Sequence, residues 1–155
     1  MTRVTLSALT VFVTEALTAA GVPLDPALVV LEADTGRTSG ELIRQLLDAV
    51  DPPTAIFSSN ARCSLGIVPA LQSIDRSDVA LISFGDFPLA GALRPPLTVV
   101  DQDPARVGHT AAIRVFERLD QPERRLKRQI VLPVTLVLRG SCSTEVHGDV
   151  GTRPA

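Results

Sequence analysis

Short runs that are apolar at nearly every position, each separated from the next by a segment of helical periodicity, constrain this chain more than any other feature. Thr54-Ala55-Ile56-Phe57, Val79-Ala80-Leu81-Ile82 and Leu97-Thr98-Val99-Val100 have this form. A strand with apolar side chains on both sides needs cover on both faces, which is the condition of a parallel sheet flanked by helices. The expected fold is therefore α/β. Leu28-Val29-Val30-Leu31 reads as a further buried strand, and Gln129-Ile130-Val131-Leu132 and Thr135-Leu136-Val137-Leu138 as closing strands split by Pro133.

The helices are marked by their ends. A stripe of Leu9, Phe12, Val13, Ala16, Leu17 and Ala20 predicts an amphipathic helix over 7–20, stopped by Gly21. Thr38-Ser39-Gly40-Glu41 has the capping-box form and opens a helix with Leu42, Ile43, Leu46, Leu47 and Val50 as its face. Asn60 precedes a helix over 61–74, where the internal Pro69 predicts a kink. A short helix is expected over 87–93. Asp103-Pro104 starts the clearest helix, whose stripe is Ala112, Val115, Phe116 and Leu119. Residues 1–143 read as one domain and 144–155 as a disordered tail.

Composition narrows the function. With aromatic residues at 3% and no Trp or Tyr, the core must be built from Val, Leu, Ile and Ala. A net charge of −2 argues against a broad nucleic-acid footprint. The basic run Arg124-Arg125-Leu126-Lys127-Arg128 reads as a solvated turn. Cys63, Cys142, His109 and His147 have no zinc-like spacing, so neither metal nor cofactor is expected, and the cysteines read as free thiols in a reducing cytoplasm. Asp34, Asp86, Asp101 and Asp103 read as caps and turns, and His109 as a surface side chain. No nucleophile elbow, phosphate loop or His-Glu-x-x-His is present, so the chain is not read as an enzyme. The stretch after Arg3 has some features of a signal peptide, but its helical spacing and Glu15 fit an amphipathic helix better. No stretch is long and apolar enough to span a membrane.

Sheets of this kind bind ligands at the carboxyl ends of their strands, which directs attention to the loops that begin at Ser58, Ser83 and Asp101. Four segments there and beyond carry a resemblance. They are Pro53-Thr54-Ala55-Ile56-Phe57-Ser58-Ser59-Asn60 with Leu65-Gly66 following, Leu81-Ile82-Ser83-Phe84-Gly85-Asp86-Phe87-Pro88-Leu89-Ala90, Arg94-Pro95-Pro96-Leu97-Thr98-Val99-Val100-Asp101-Gln102, and Leu132-Pro133-Val134-Thr135-Leu136-Val137-Leu138-Arg139-Gly140-Ser141. In order and spacing they resemble the LacI/GalR family of transcriptional regulators, over about 9–141.

The resemblance implies one lobe, the C-terminal one, of a periplasmic-binding-protein-like (type I) sensor. The family's helix-turn-helix head, its hinge and most of its first subdomain have no counterpart here, so DNA binding would belong to such a head. In the family a sugar or nucleobase effector binds between two lobes. Asn60 and Gln102 match its effector-contacting positions, with Asp86 beside them. Read from the residues alone, Asn60 serves equally well as a helix cap and Gln102 as a solvated loop residue. The family's gripping Asp is Gly85 here, its following Asp after the Asn is Ala61, and its Arg falls at about Leu9, so effector binding is expected to be weak or absent. Dimerisation in the family places Leu65, Val68, Leu89 and Leu93 near a partner, either a second copy or an intact relative. The 103–119 helix and the strand after it would pack on the other lobe.

The leading reading is the effector-binding and dimerisation part of a cytoplasmic regulator. An interaction-only or decayed remnant of a regulator is the alternative, and a periplasmic sugar-binding protein the third.

Overall fold

The computed structural model describes residues 8–30 and 37–142. The expected tail, 144–155, and Leu31 lie outside the described residues. In chain order the elements are α1 (Ala8–Ala19), α2 (Ser39–Leu47), β1 (Ala55–Ser58), α3 (Ala61–Ser73), β2 (Ala80–Phe84), β3 (Thr98–Asp101), α4 (Pro104–Asp120) and β4 (Thr135–Val137). Three 3-10 turns, Pro26–Leu28, Ala90–Ala92 and Gly140–Cys142, also lie among the described residues. The chain divides into two compact units: residues 1–55 with 62–79, and residues 56–61 with 80–155.

The first unit holds α1, α2 and α3. Gly21 ends α1 at a φ of 71°, where a residue without Cβ stands easily, and Val22 donates back to the Leu17 carbonyl at 2.9 Å. The capping box at Thr38 is complete: Thr38 Oγ1 accepts from the Glu41 amide at 3.4 Å, and Glu41 Oε2 accepts from the Thr38 amide at 2.8 Å. Leu42, Ile43 and Leu47 are buried, as are Ile67, Val68, Ala70 and Leu71 of α3. Helices α2 and α3 touch at glycines, since a Cβ on Gly40 would stand 2.9 Å from the Gly66 carbonyl oxygen. Arg44 also donates to Ser73 Oγ at 3.0 Å across the same pair.

The second unit is a four-stranded sheet in the order β1-β2-β3-β4, followed along the chain by α4 between β3 and β4. β2 and β3 are parallel, with Ile82 opposite Thr98 and Phe84 opposite Val100. β4 runs antiparallel to β3, with Val137 opposite Val99. The sheet is thus mixed rather than wholly parallel. A helix alone would return the chain for a parallel strand, but the irregular stretch after α4 carries it back to the end of β3 where α4 began. Leu81, Leu97, Val99 and Ala90 form the buried apolar set of this unit.

Three other expectations fail for identifiable reasons. Residues 28–30 are not strand: Asp25 and Pro26 set a 3-10 turn, Asp25 Oδ1 accepts from the Ala27 amide at 2.9 Å, and Leu28 and Val30 are exposed. Residues 129–132 are not strand either, since they pair with none of the sheet's four strands and Val131 is 81% exposed. Val50 is fully exposed because α2 ends three residues before it. Pro69 leaves α3 unbroken from Ala61 to Ser73.

Gly40→Val should destabilise the chain by about 1–3 kcal/mol, because its side chain meets backbone rather than a movable side chain. Urea unfolding followed by circular dichroism measures this. Unchanged stability would show that α2 and α3 separate at little cost.

Candidate functional site

The loops after β1, β2 and β3 carry the candidate residues, all within the second unit. Asn60 is exposed, directly after β1, and its Nδ2 donates to Ser59 Oγ at 3.3 Å, while Ser58 Oγ donates to the Asn60 carbonyl at 3.0 Å. Gln102 is half-buried after β3. Gly85 follows β2 with a φ of 90°, a conformation that L side chains rarely adopt. Its amide donates to the Val100 carbonyl at 2.8 Å, and a Cβ placed there would lie 3.9 Å from Gln102 Nε2. The structure therefore places the Gln102 side chain next to Gly85.

Asp86 is held, not presented. Its two oxygens accept from the Arg139 guanidinium at 3.1 and 2.7 Å, and Oδ1 also accepts from the Phe87 amide at 2.8 Å. The Arg139 hydrogen bonds, then the Phe87 amide, draw the Asp86 carboxyl below the usual carboxylate range against the opposing effect of burial. Arg139 is raised by the same pair. Arg139 also donates to the Leu97 carbonyl at 2.9 Å.

Arg139 is the residue that sequence reasoning missed. The signal was an arginine at the end of an apolar strand, in Leu138-Arg139-Gly140-Ser141. Its backbone pairs with Thr98 Oγ1 in both directions, at 2.9 and 3.0 Å. Ser141 Oγ accepts from the Thr98 amide at 2.8 Å and donates to the Leu81 carbonyl. One short segment thus holds the Asp86 loop, β2 and β3 in mutual register.

The residues expected at a dimer surface divide. Leu65 and Leu89 are exposed, Leu93 is half-buried, and Val68 is buried at 8% exposure in the first unit. Among the described residues no three His, Cys, Asp or Glu side chains gather as a metal site, and no helix is long and apolar enough to cross a membrane.

The family model of the periplasmic binding protein-like domain matches residues 7–142. The chain belongs to that family. Its relatives, named operon repressors and LacI-family regulators of which it spans less than half the length in most cases, place it in the LacI/GalR branch. It is 29% identical over 136 residues to a probable opine utilization operon repressor of Rhizobium rhizogenes, covering 86% of this chain and 69% of that protein. It is 32% identical over 104 residues to the ribose operon repressor of Escherichia coli K12, covering 65% of this chain and 31% of that one. A solved complex of the transcriptional regulator CelR with cellobiose superposes with a TM-score of 0.71 at 28% identity, covering 86% of this chain and 41% of that one. In this LacI/GalR-like chain the three strand-end loops carry the candidate residues Asn60, Gly85 and Gln102.

Asp86→Asn should lower stability by about 2 kcal/mol at neutral pH through loss of the charge-assisted pair. A carboxyl with a lowered folded pKa stabilises above its unfolded value near 4 and loses that contribution as pH falls through the lowered value. The gap between wild type and variant should therefore close on acidification, as chemical denaturation across pH would reveal. A constant gap would assign the loss to packing.

Proposed function

We propose that this chain is the effector-sensing and self-association part of a LacI/GalR-type transcriptional regulator, acting by binding rather than catalysis. The placement of Asn60, Gly85 and Gln102 on the three strand-end loops carries this reading. Two carboxamides offer donors and acceptors to an uncharged polyol or nucleobase. Relatives named for a ribose operon and for a cellobiose complex support a sugar as the effector class. Gly85 supplies no carboxylate, and a lost charge-assisted hydrogen bond weakens binding by about 1.5–3 kcal/mol, roughly ten- to hundredfold. The reading holds the regulator in the cytoplasm, with DNA contact made by a head domain.

Calorimetry with ribose, cellobiose and free nucleobases should show at most millimolar-range affinity, on the order of −4 kcal/mol. Any binding seen should weaken in Asn60→Ala and in Gln102→Ala. Micromolar affinity would show that the missing carboxylate is replaced from elsewhere.

A second reading, an interaction module, is favoured by α4, which has no buried residue. Phe116 is 63% exposed and Leu119 69% exposed, so the stripe does not fold back onto its own sheet. Each such side chain left in water forgoes about 1.5–3 kcal/mol. Burial of this stripe against a second copy or an intact relative removes that cost. Sedimentation should show a dimer or larger species for the chain, and Phe116→Asp should shift it toward monomer. A stable wild-type monomer would refute self-association through α4.

A further inference from the structure

Arg139 has a fixed base and a committed head. Its backbone is bonded to Thr98 Oγ1 in both directions, at 2.9 and 3.0 Å, and Thr98 is fully buried at the start of β3. From that base one guanidinium nitrogen donates to Asp86 Oδ1 at 3.1 Å and to the Leu97 carbonyl at 2.9 Å. The other donates to Asp86 Oδ2 at 2.7 Å. The 3-10 turn Ala90–Ala92 lies against the side chain, since a Cβ on Gly91 would stand 3.9 Å from Arg139 Nε. A planar fork gripped in this way has one orientation, which an ammonium group does not reproduce.

What this head holds lies next to the candidate residues. Asp86 follows Gly85 directly, and Asp101, whose charge also acts on Arg139, precedes Gln102 directly. The paired positions of β2 and β3 end with Phe84 opposite Val100. Beyond them, the spacing of the two loops rests on the Gly85 amide, bonded to the Val100 carbonyl at 2.8 Å, and on side-chain ties. Gly85 and Gln102 meet there, with Gln102 Nε2 at 3.9 Å from a Cβ built on Gly85. One cation on the closing segment therefore braces the loop after β2 against the end of β3.

We propose that Arg139 is a positioning residue for the strand-end site: its fork sets the spacing between Gly85 and Gln102, and so fixes where the Gln102 carboxamide meets a ligand. The ligand in this statement rests on the sensing function proposed above, whereas the spacing is a property of the free chain. Without the fork, the Gly85 amide loosens from Val100 and Gln102 takes up several positions.

The test compares the full chain with Arg139→Lys, Arg139→Met and Gly40→Val by nitrogen-15 NMR. Thermal melts by circular dichroism establish that each variant is folded. Gly40→Val is the control, because it disturbs the packing of α2 on α3 in the first unit and alters no residue of the second. In Arg139→Lys, which keeps the charge, the Gly85 amide should exchange with solvent at least several-fold faster and the Gln102 side-chain amide resonances should move. Most of the thermal stability should remain, a split that a purely structural role would not produce. Arg139→Met should show the same changes with a larger loss of stability. Titration with ribose through the millimolar range should shift the Gln102 side-chain amide, and Arg139→Lys should need several-fold more ribose for the same shift. No response to ribose in the wild type would count against the sensing function alone, and Gly85 exchange would still decide the role of Arg139. Wild-type exchange and resonances in folded Arg139→Lys, an unchanged ribose requirement in that variant, or equal changes in Gly40→Val would each overturn the proposal.

Discussion

The second unit depends on the segment Arg139-Gly140-Ser141, which lies after the last strand and ties together elements some 40 to 60 residues earlier. Thr98 is fully buried at the start of β3, and both its amide and its hydroxyl are satisfied by this segment. A buried donor without a partner costs about 1–3 kcal/mol, so the start of β3 and the closing turn stabilise each other. Gly140 lets the turn approach, since a Cβ there would lie 3.1 Å from the Pro96 ring. The guanidinium of Arg139 then extends the same network to Asp86 and to the Leu97 carbonyl. The loop after β2 is positioned by chain that comes more than fifty residues later.

That constraint explains why two adjacent residues of the candidate loop after β2 differ so much. Asp86 is committed to Arg139 and the Phe87 amide, so its carboxylate serves the fold. Gly85 sits in left-handed backbone with its amide already bonded to Val100, and Gln102 occupies the neighbouring space. Restoring a carboxylate at 85 would require a side chain in strained backbone against that amide. Gly85 thus stands in backbone that suits glycine, and the side chain beside it, Gln102, is uncharged.

Helix α4 shows the opposite economy. Nothing of it is buried, yet it carries two chemically distinct faces: an apolar stripe ending at Phe116 and Leu119, and a basic wall formed by Arg114 and Arg118. The first suits dry packing against another apolar surface. The second orders a neighbouring run of cations through backbone carbonyls. A helix stable in this setting owes much to its start, where Asp103 Oδ1 accepts from the Arg106 amide at 3.0 Å with Pro104 behind it.

The sequence by itself determined the elements whose signals are local. The capping box at Thr38, the Asp103-Pro104 start, the apolar runs of β1, β2 and β3 and the stop at Gly21 each act within a few residues, and each is present where its pattern lies. The strand-end positions of Asn60 and Gln102 follow from those runs. Tertiary structure decided whatever needs a distant partner. Whether 28–30 and 129–132 become strands depends on a neighbour to share their hydrogen bonds, and apolar composition cannot reveal that no strand of the sheet provides one. The antiparallel sense of β4, the approach of Gln102 to Gly85 and the capture of Asp86 by Arg139 also join residues far apart in the chain. Periodicity records which face of an element is apolar, but a partner's identity is set only when the folded chain brings the two together.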